Sequence, residues 1–205
     1  MHPPVGTADG GALPALWLVR HGRPLLPVGV CYGAIDVAAD PQHTAQIADM
    51  LAERLPQGAE LRSSPLQRCA ALARAVVDLR SDLTLHTEPR IAEMNFGRWE
   101  GWCWDDIPKV AFDAWTGQFA EHRFGGVESV QDLMDRVGQV WDEARAGASV
   151  QVWITHAGVM SAARLLARGI RSVHRAGDWP APSPRHGELL SLADPAASSV
   201  ALGRT

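Results

Sequence analysis

The chain has 205 residues, of which 46% are hydrophobic and 20% charged, and its formal net charge is −4. That composition fits one globular domain with a sizeable core and gives no reason to expect a polyanionic partner such as nucleic acid. No apolar stretch approaches the length of a membrane span, and Met1 to Gly11 lack the basic-then-apolar form of a secretory signal. The three cysteines, Cys31, Cys69 and Cys103, have no framework or metal-like spacing, which favours a reducing cytoplasm.

In chain order, residues 1–14 read as a flexible lead-in and residues 15–205 as a single domain. The apolar run Ala15 to Val19 predicts a buried strand that stops at Arg20-His21-Gly22. A loop with Cys31-Tyr32-Gly33 leads to a helix at about Pro41 to Leu55. A strand at Ala59 to Ser63, a helix at Leu66 to Leu79 and a short strand at Leu83 to His86 follow, with Ser64 and Pro65 placed to cap and open that helix. Residues 98–128 read as an insertion over the site. Its rings, Trp99, Trp102, Trp104, Phe112, Trp115, Phe119 and Phe124, make either a lid lined with aromatics or the packing of a small helical subdomain. Ser129 is placed to cap a helix from Val130 to Ala144, and a strand at Val150 to Thr155 and a helix at Val159 to Ala167 complete the core. A last strand is expected at Glu188 to Leu192.

Strands that alternate with helices describe an α/β fold, a three-layer α/β/α sandwich around a mostly parallel sheet. Arg20, Arg68 and His156 would then gather at one sheet edge, where open α/β sheets bind ligands. Arginine presents a planar fork of donors that matches phosphate oxygens, so two arginines with two histidines suit a phosphate dianion.

Four segments, taken in order, resemble the histidine phosphatase superfamily. They are Leu18 to Gly22 (L-V-R-H-G), Leu61 to Arg68 (L-R-S-S-P-L-Q-R), Arg90 to Gly101 (R-I-A-E-M-N-F-G-R-W-E-G) and Val152 to Val159 (V-W-I-T-H-A-G-V). Members of that family include cofactor-dependent phosphoglycerate mutases, fructose-2,6-bisphosphatases and α-ribazole phosphatases. The resemblance implies a phosphoglycerate mutase-like fold and a metal-independent reaction through a phosphohistidine. His21 would attack phosphorus, and Arg20, Arg68 and His156 would hold the phosphoryl group. Glu93 would protonate the leaving alkoxide and later take a proton from the attacking water. The cations beside His21 would keep its ring neutral and stabilise charge on the transferring group. Glu100 competes with Glu93 for the acid role, but the Arg90-x-x-Glu93 context favours Glu93 and leaves Glu100 structural. Gly22, Tyr32, Trp99 and Trp102 are candidate substrate-lining residues. The remaining histidines, His2, His43, His86, His122, His174 and His186, read as surface or structural.

Some positions depart from the family. Arg23-Pro24-Leu25-Leu26 lacks the hydroxyl and amide that often follow R-H-G, one glycine is displaced in Gly126-Val127-Glu128-Ser129, and Met94 stands where mutases carry a basic residue. The segments Trp99 to Ile107 and Cys31 to Asp36 look most like the α-ribazole phosphatase branch. The expectation is therefore a phosphomonoesterase with α-ribazole 5′-phosphate as leading substrate. A mutase-type phosphoryl transferase and a non-catalytic phosphate-binding scaffold are the alternatives. The expected partner is a small phosphorylated metabolite, with no nucleic acid, membrane, cofactor or metal, and a homodimer is compatible with this reading.

Overall fold

The computed structural model describes residues 15–192, so the lead-in expected over residues 1–14 lies outside the described residues. Strands β1 (Leu16–Arg20), β2 (Glu60–Ser63), β3 (Thr84–Thr87), β4 (Gln151–Thr155) and β5 (Leu189–Leu192) form one sheet in the order β3-β2-β4-β1-β5. The first four run parallel, and β5 lies antiparallel against β1. Among the described residues five α-helices accompany them: α1 (Pro41–Arg54), α2 (Gln67–Leu79), α3 (Lys109–Gly117), α4 (Val130–Ala146) and α5 (Ala157–Leu166).

Side chains alternate across the sheet and feed two separate cores. Leu16, Leu18 and Trp153 pack with residues of α4 and α5, whereas Val19, Leu61, Val152 and Ile154 pack with residues of α1 and α2. All five residues of β4 are buried, as a strand covered on both faces requires. Removing one such apolar side chain from water contributes about 1.5–3 kcal/mol.

The helices start where local chemistry favours it. The Asp40 side chain accepts from the amides of Gln42 and His43 ahead of Pro41, and Ser129 forms a reciprocal capping box with Asp132. Ser64 does not cap α2. The helix begins at Gln67 behind Leu66, which makes no side-chain cap bond, and toward the helix the Ser64 hydroxyl reaches only the Leu66 amide ahead of it, at 3.3 Å. Helix α5 begins at Ala157, two residues before the expected Val159.

The segment 98–128 contains short turns and α3, held by a third core of Cys31, Trp99, Ile107 and Phe124. The Trp115 ring stacks on Phe124 at 4.4 Å and the Trp104 ring stacks on it at 6.2 Å, so the rings pack a small subdomain. No helix among the described residues is long and apolar enough to cross a membrane.

Candidate active site

Parallel register brings the site together. Arg20 pairs with Thr155 and Ser63 with Ile154, so His21, Ser64 and His156, each one residue past its strand, meet at the same carboxyl edge. The ladder continues into them, with the His21 amide donating to Thr155 O and the Ser64 amide to Ile154 O, both at 3.1 Å.

His21 is 1% exposed. Its Nδ1 lies 2.6 Å from the Gly22 carbonyl, which can only accept, so Nδ1 carries the proton and Nε2 keeps its lone pair. Burial, and then the charges of Arg68 and Arg20, hold its pKa well below the ordinary value for histidine, against a smaller upward pull from the Gly22 carbonyl. The His156 ring stands edge-on to His21 at 5.0 Å and is completely buried. Its Nε2 lies 2.8 Å from Ser64 Oγ. Burial, and then His21 and Arg68, likewise press the His156 pKa down.

Arg68 is 0% exposed, yet it has no carboxylate within ion-pairing distance among the described residues. Its Nη1 donates to Ile35 O at 2.8 Å and its Nη2 to Gly33 O at 2.6 Å, while its Nε has no partner. Arg20 follows the same pattern: Nη1 donates to the Pro184 carbonyl, and the buried Nε is unpartnered. Glu100 positions the loop that supplies the Arg68 acceptors. Its carboxylate accepts from the amides of Ala34 (2.8 Å), Ile35 (2.6 Å) and Phe96 (2.9 Å), which is the structural role expected of it.

Glu93 sits on a tightly held segment. Arg136 donates to the carbonyls of Arg90, Ala92 and Glu93, and Thr155 Oγ1 donates to Ile91 O at 2.7 Å. The Glu93 carboxylate accepts from the Met94 amide through Oε1 and from the Gly158 amide through Oε2, each at 3.1 Å. A side chain at 158 would collide with it, because a Cβ there would lie 2.4 Å from Glu93 Oε1.

Arg20, His21, Tyr32 and Glu93 line one cavity of about 420 Å³. Arg68 and His156 do not line it, although the His156 ring meets that of His21 edge-on and the Arg68 charge acts on His21. The other walls are Val30, Met94, Phe96, Trp104, Trp115, Phe119, Val130, Leu133, Ala157, Gly158, Ala176, Trp179 and Ser183. Trp99 and Trp102 are absent from that wall: Trp99 is buried in the third core, and Trp102 is half-exposed, edge-on to Trp99. Gly22 is absent too, since its bare Cα faces α1, where a Cβ would lie 2.8 Å from Thr44 Oγ1. Pro24 bridges to Ala39 and the Leu25 amide donates to Ala38 O, so residues 23–26 pair with the approach to α1 rather than line the cavity.

His186 belongs at this centre, contrary to its reading as a surface or structural residue. Its ring lies 5.4 Å from that of His21, and its Nε2 is 3.2 Å from Tyr32 Oη. Burial and the charge of Arg20 lower its pKa to about 4. Among the described residues no group of three or more His, Cys, Asp or Glu side chains is arranged to hold a metal ion. Cys31 and Cys69 are buried free thiols, and burial pushes both pKa values up, Cys31 to about 12.

The family model for the histidine phosphatase superfamily (branch 1) matches residues 16–177. No curated protein matches the chain. Among solved structures, a mycobacterial glucosyl-3-phosphoglycerate phosphatase aligns with a TM-score of 0.72 at 22% identity, covering 87% of this chain and 89% of that one. A protein from Thermus thermophilus aligns with a TM-score of 0.65 at 25% identity, covering 86% of this chain and 92% of that one.

Proposed function

The chain belongs to branch 1 of the histidine phosphatase superfamily, an enzyme acting as a phosphatase, and from that premise we propose that it hydrolyses a small phosphomonoester through a phosphohistidine at His21 without a metal ion. The observation that carries this reading is the pair of guanidiniums, Arg20 and Arg68, held by carbonyls beside His21 with no carboxylate paired to either among the described residues. A buried cation without a counterion costs several kcal/mol, and a phosphate dianion removes that cost. The mycobacterial phosphatase of similar fold has been solved with inorganic phosphate, which agrees with a phosphorylated ligand.

In the first step the free Nε2 of His21 attacks phosphorus, forming the P–N bond as the P–O bond to the alcohol breaks. Protonated Glu93 gives its proton to the departing oxygen. In the second step Glu93, now a carboxylate, takes a proton from water. The water oxygen attacks phosphorus, the P–N bond breaks, and inorganic phosphate leaves with His21 regenerated. Arg20 stabilises charge on the equatorial oxygens from the cavity wall, Arg68 adds its positive charge from beside His21, and the His156 ring packs edge-on against the His21 ring. Met94 lines the cavity beside Glu93 where a mutase would place a cation, which favours hydrolysis over transfer to a second substrate position. α-Ribazole 5′-phosphate is the leading substrate, because the aromatic walls suit its ring.

The test is phosphate release from p-nitrophenyl phosphate with EDTA present, for the wild type, His21→Ala and Glu93→Gln. Turnover that EDTA leaves intact and both substitutions abolish is expected. Activity that survives His21→Ala would overturn the assignment.

A further inference from the structure

Resting on the phosphohistidine reading above, we infer that the cavity wall beyond Glu93 is a subsite for an uncharged aromatic leaving group and that it rejects esters whose alcohol carries a second anion. Charge divides the cavity into two ends. Its only charged lining residues among the described ones are Arg20 and Glu93, and both belong to the phosphoryl end with His21. The remainder of the wall is dominated by Met94, Phe96, Trp104, Trp115, Phe119 and Trp179, with no lysine, arginine or histidine among them.

These rings are fixed in place before any ligand arrives. Trp115 stacks on Phe124 at 4.4 Å and on Phe119 at 5.5 Å, Trp104 stacks on Phe124 at 6.2 Å, and Trp179 meets Phe119 edge-on at 6.0 Å. Phe124 itself is completely buried. A flat apolar group entering this space loses little entropy in ordering the wall and gains ring contact. A carboxylate or second phosphate in the same space loses its hydration and meets no cation, a penalty that an apolar wall cannot offset. The substrate named by the structurally similar mycobacterial phosphatase carries such a carboxylate, so the two proteins would differ in substrate despite a shared fold.

The experiment compares kcat/KM for 2-(2-naphthyl)ethyl phosphate, an alkyl ester run alongside 2-naphthyl phosphate, and 3-phosphoglycerate, with inorganic phosphate inhibition and the phosphohistidine adduct measured in parallel. The naphthylethyl ester is expected to be favoured over 3-phosphoglycerate by about 100-fold or more. Trp104→Ala and, separately, Trp179→Ala are expected to lower kcat/KM for 2-naphthyl phosphate by about tenfold while the inhibition constant of inorganic phosphate holds. That constant also reports that the variants remain folded. Equal turnover of the naphthylethyl ester and 3-phosphoglycerate, with the adduct formed, would overturn the subsite alone. Absence of both adduct and turnover would overturn the phosphohistidine reading beneath it.

Discussion

Gly158→Ala isolates Glu93, the proposed proton donor, from the rest of the site. Gly158 is the second residue of α5, and its amide donates to Glu93 Oε2 at 3.1 Å. An added Cβ would lie 2.4 Å from Glu93 Oε1, 3.3 Å from its Cδ and 3.4 Å from Leu133 Cδ2. The carboxylate is the movable partner, so it must retreat by roughly 1 Å, and misplacement on that scale costs about 100-fold in rate. The weakened hydrogen bond to a charged acceptor is worth about 1.5–3 kcal/mol, a loss of similar size. Alanine in a helix gains up to about 1 kcal/mol over glycine, which offsets only part of that loss, so thermal stability should fall by no more than about 2 kcal/mol. Steady-state assays should show kcat/KM on an alkyl phosphate falling by about 100-fold, with a smaller fall on p-nitrophenyl phosphate, whose leaving group needs little protonation as the phosphoenzyme forms. Wild-type kcat/KM on the alkyl ester with the substitution in place would refute the placement of Glu93 as the acid.

Three further outcomes follow from the same geometry. Glu100→Ala strips the acceptors from the amides of Ala34, Ile35 and Phe96 and should cost about 2 kcal/mol or more in urea unfolding. An unchanged midpoint would contradict that anchoring role. Phe124→Ala empties the centre of the aromatic subdomain, and calorimetry should show a loss of about 3–5 kcal/mol. For pH, His21, His156 and His186 all have folded pKa values depressed below the ordinary 6.5, so the unfolded chain binds protons that the folded chain refuses. Their contribution is therefore fully present above about pH 6.5 and is lost as pH falls toward their folded values, His186 near 4, with a slope of about 1.4 kcal/mol per pH unit per refused proton. Chemical denaturation across about pH 4–8 reads this directly, and stability that rose on acidification would contradict the burial of neutral imidazoles.

Strands and helices were legible because their periodicity is strong. The run Leu16–Arg20 and the fully buried Gln151–Thr155 could hardly be anything but central strands, and α1 and α4 carry side-chain caps that mark their first turns. The cluster of Arg20, His21, Arg68 and His156 followed once those strands were taken as parallel. Between residues 97 and 108 the chain runs through short turns with no lasting period, so nothing in its order tells which rings face the cavity. Trp99, Trp104 and Trp115 all pack on Phe124, and only the tertiary arrangement around that ring brings Trp104 and Trp115 to the cavity and leaves Trp99 and Trp102 aside. His186 was missed for a topological reason. Because β5 runs antiparallel to β1, with Val19 opposite Leu189, the residues just before β5 reach the carboxyl end of β1, where His21 sits. Placing the last strand beside β1 in that sense would have signalled it.

The central claim is a covalent bond between His21 and phosphorus. It is tested by rapid acid-free quenching of the enzyme during turnover of 2-naphthyl phosphate, followed by peptide mapping under alkaline conditions that preserve phosphohistidine. A phosphoryl group is expected on the peptide bearing His21, forming before steady state, accumulating in Glu93→Gln given the activated aryl ester, and absent in His21→Ala. Turnover without any adduct, or an adduct on another residue that persists in His21→Ala, would contradict it.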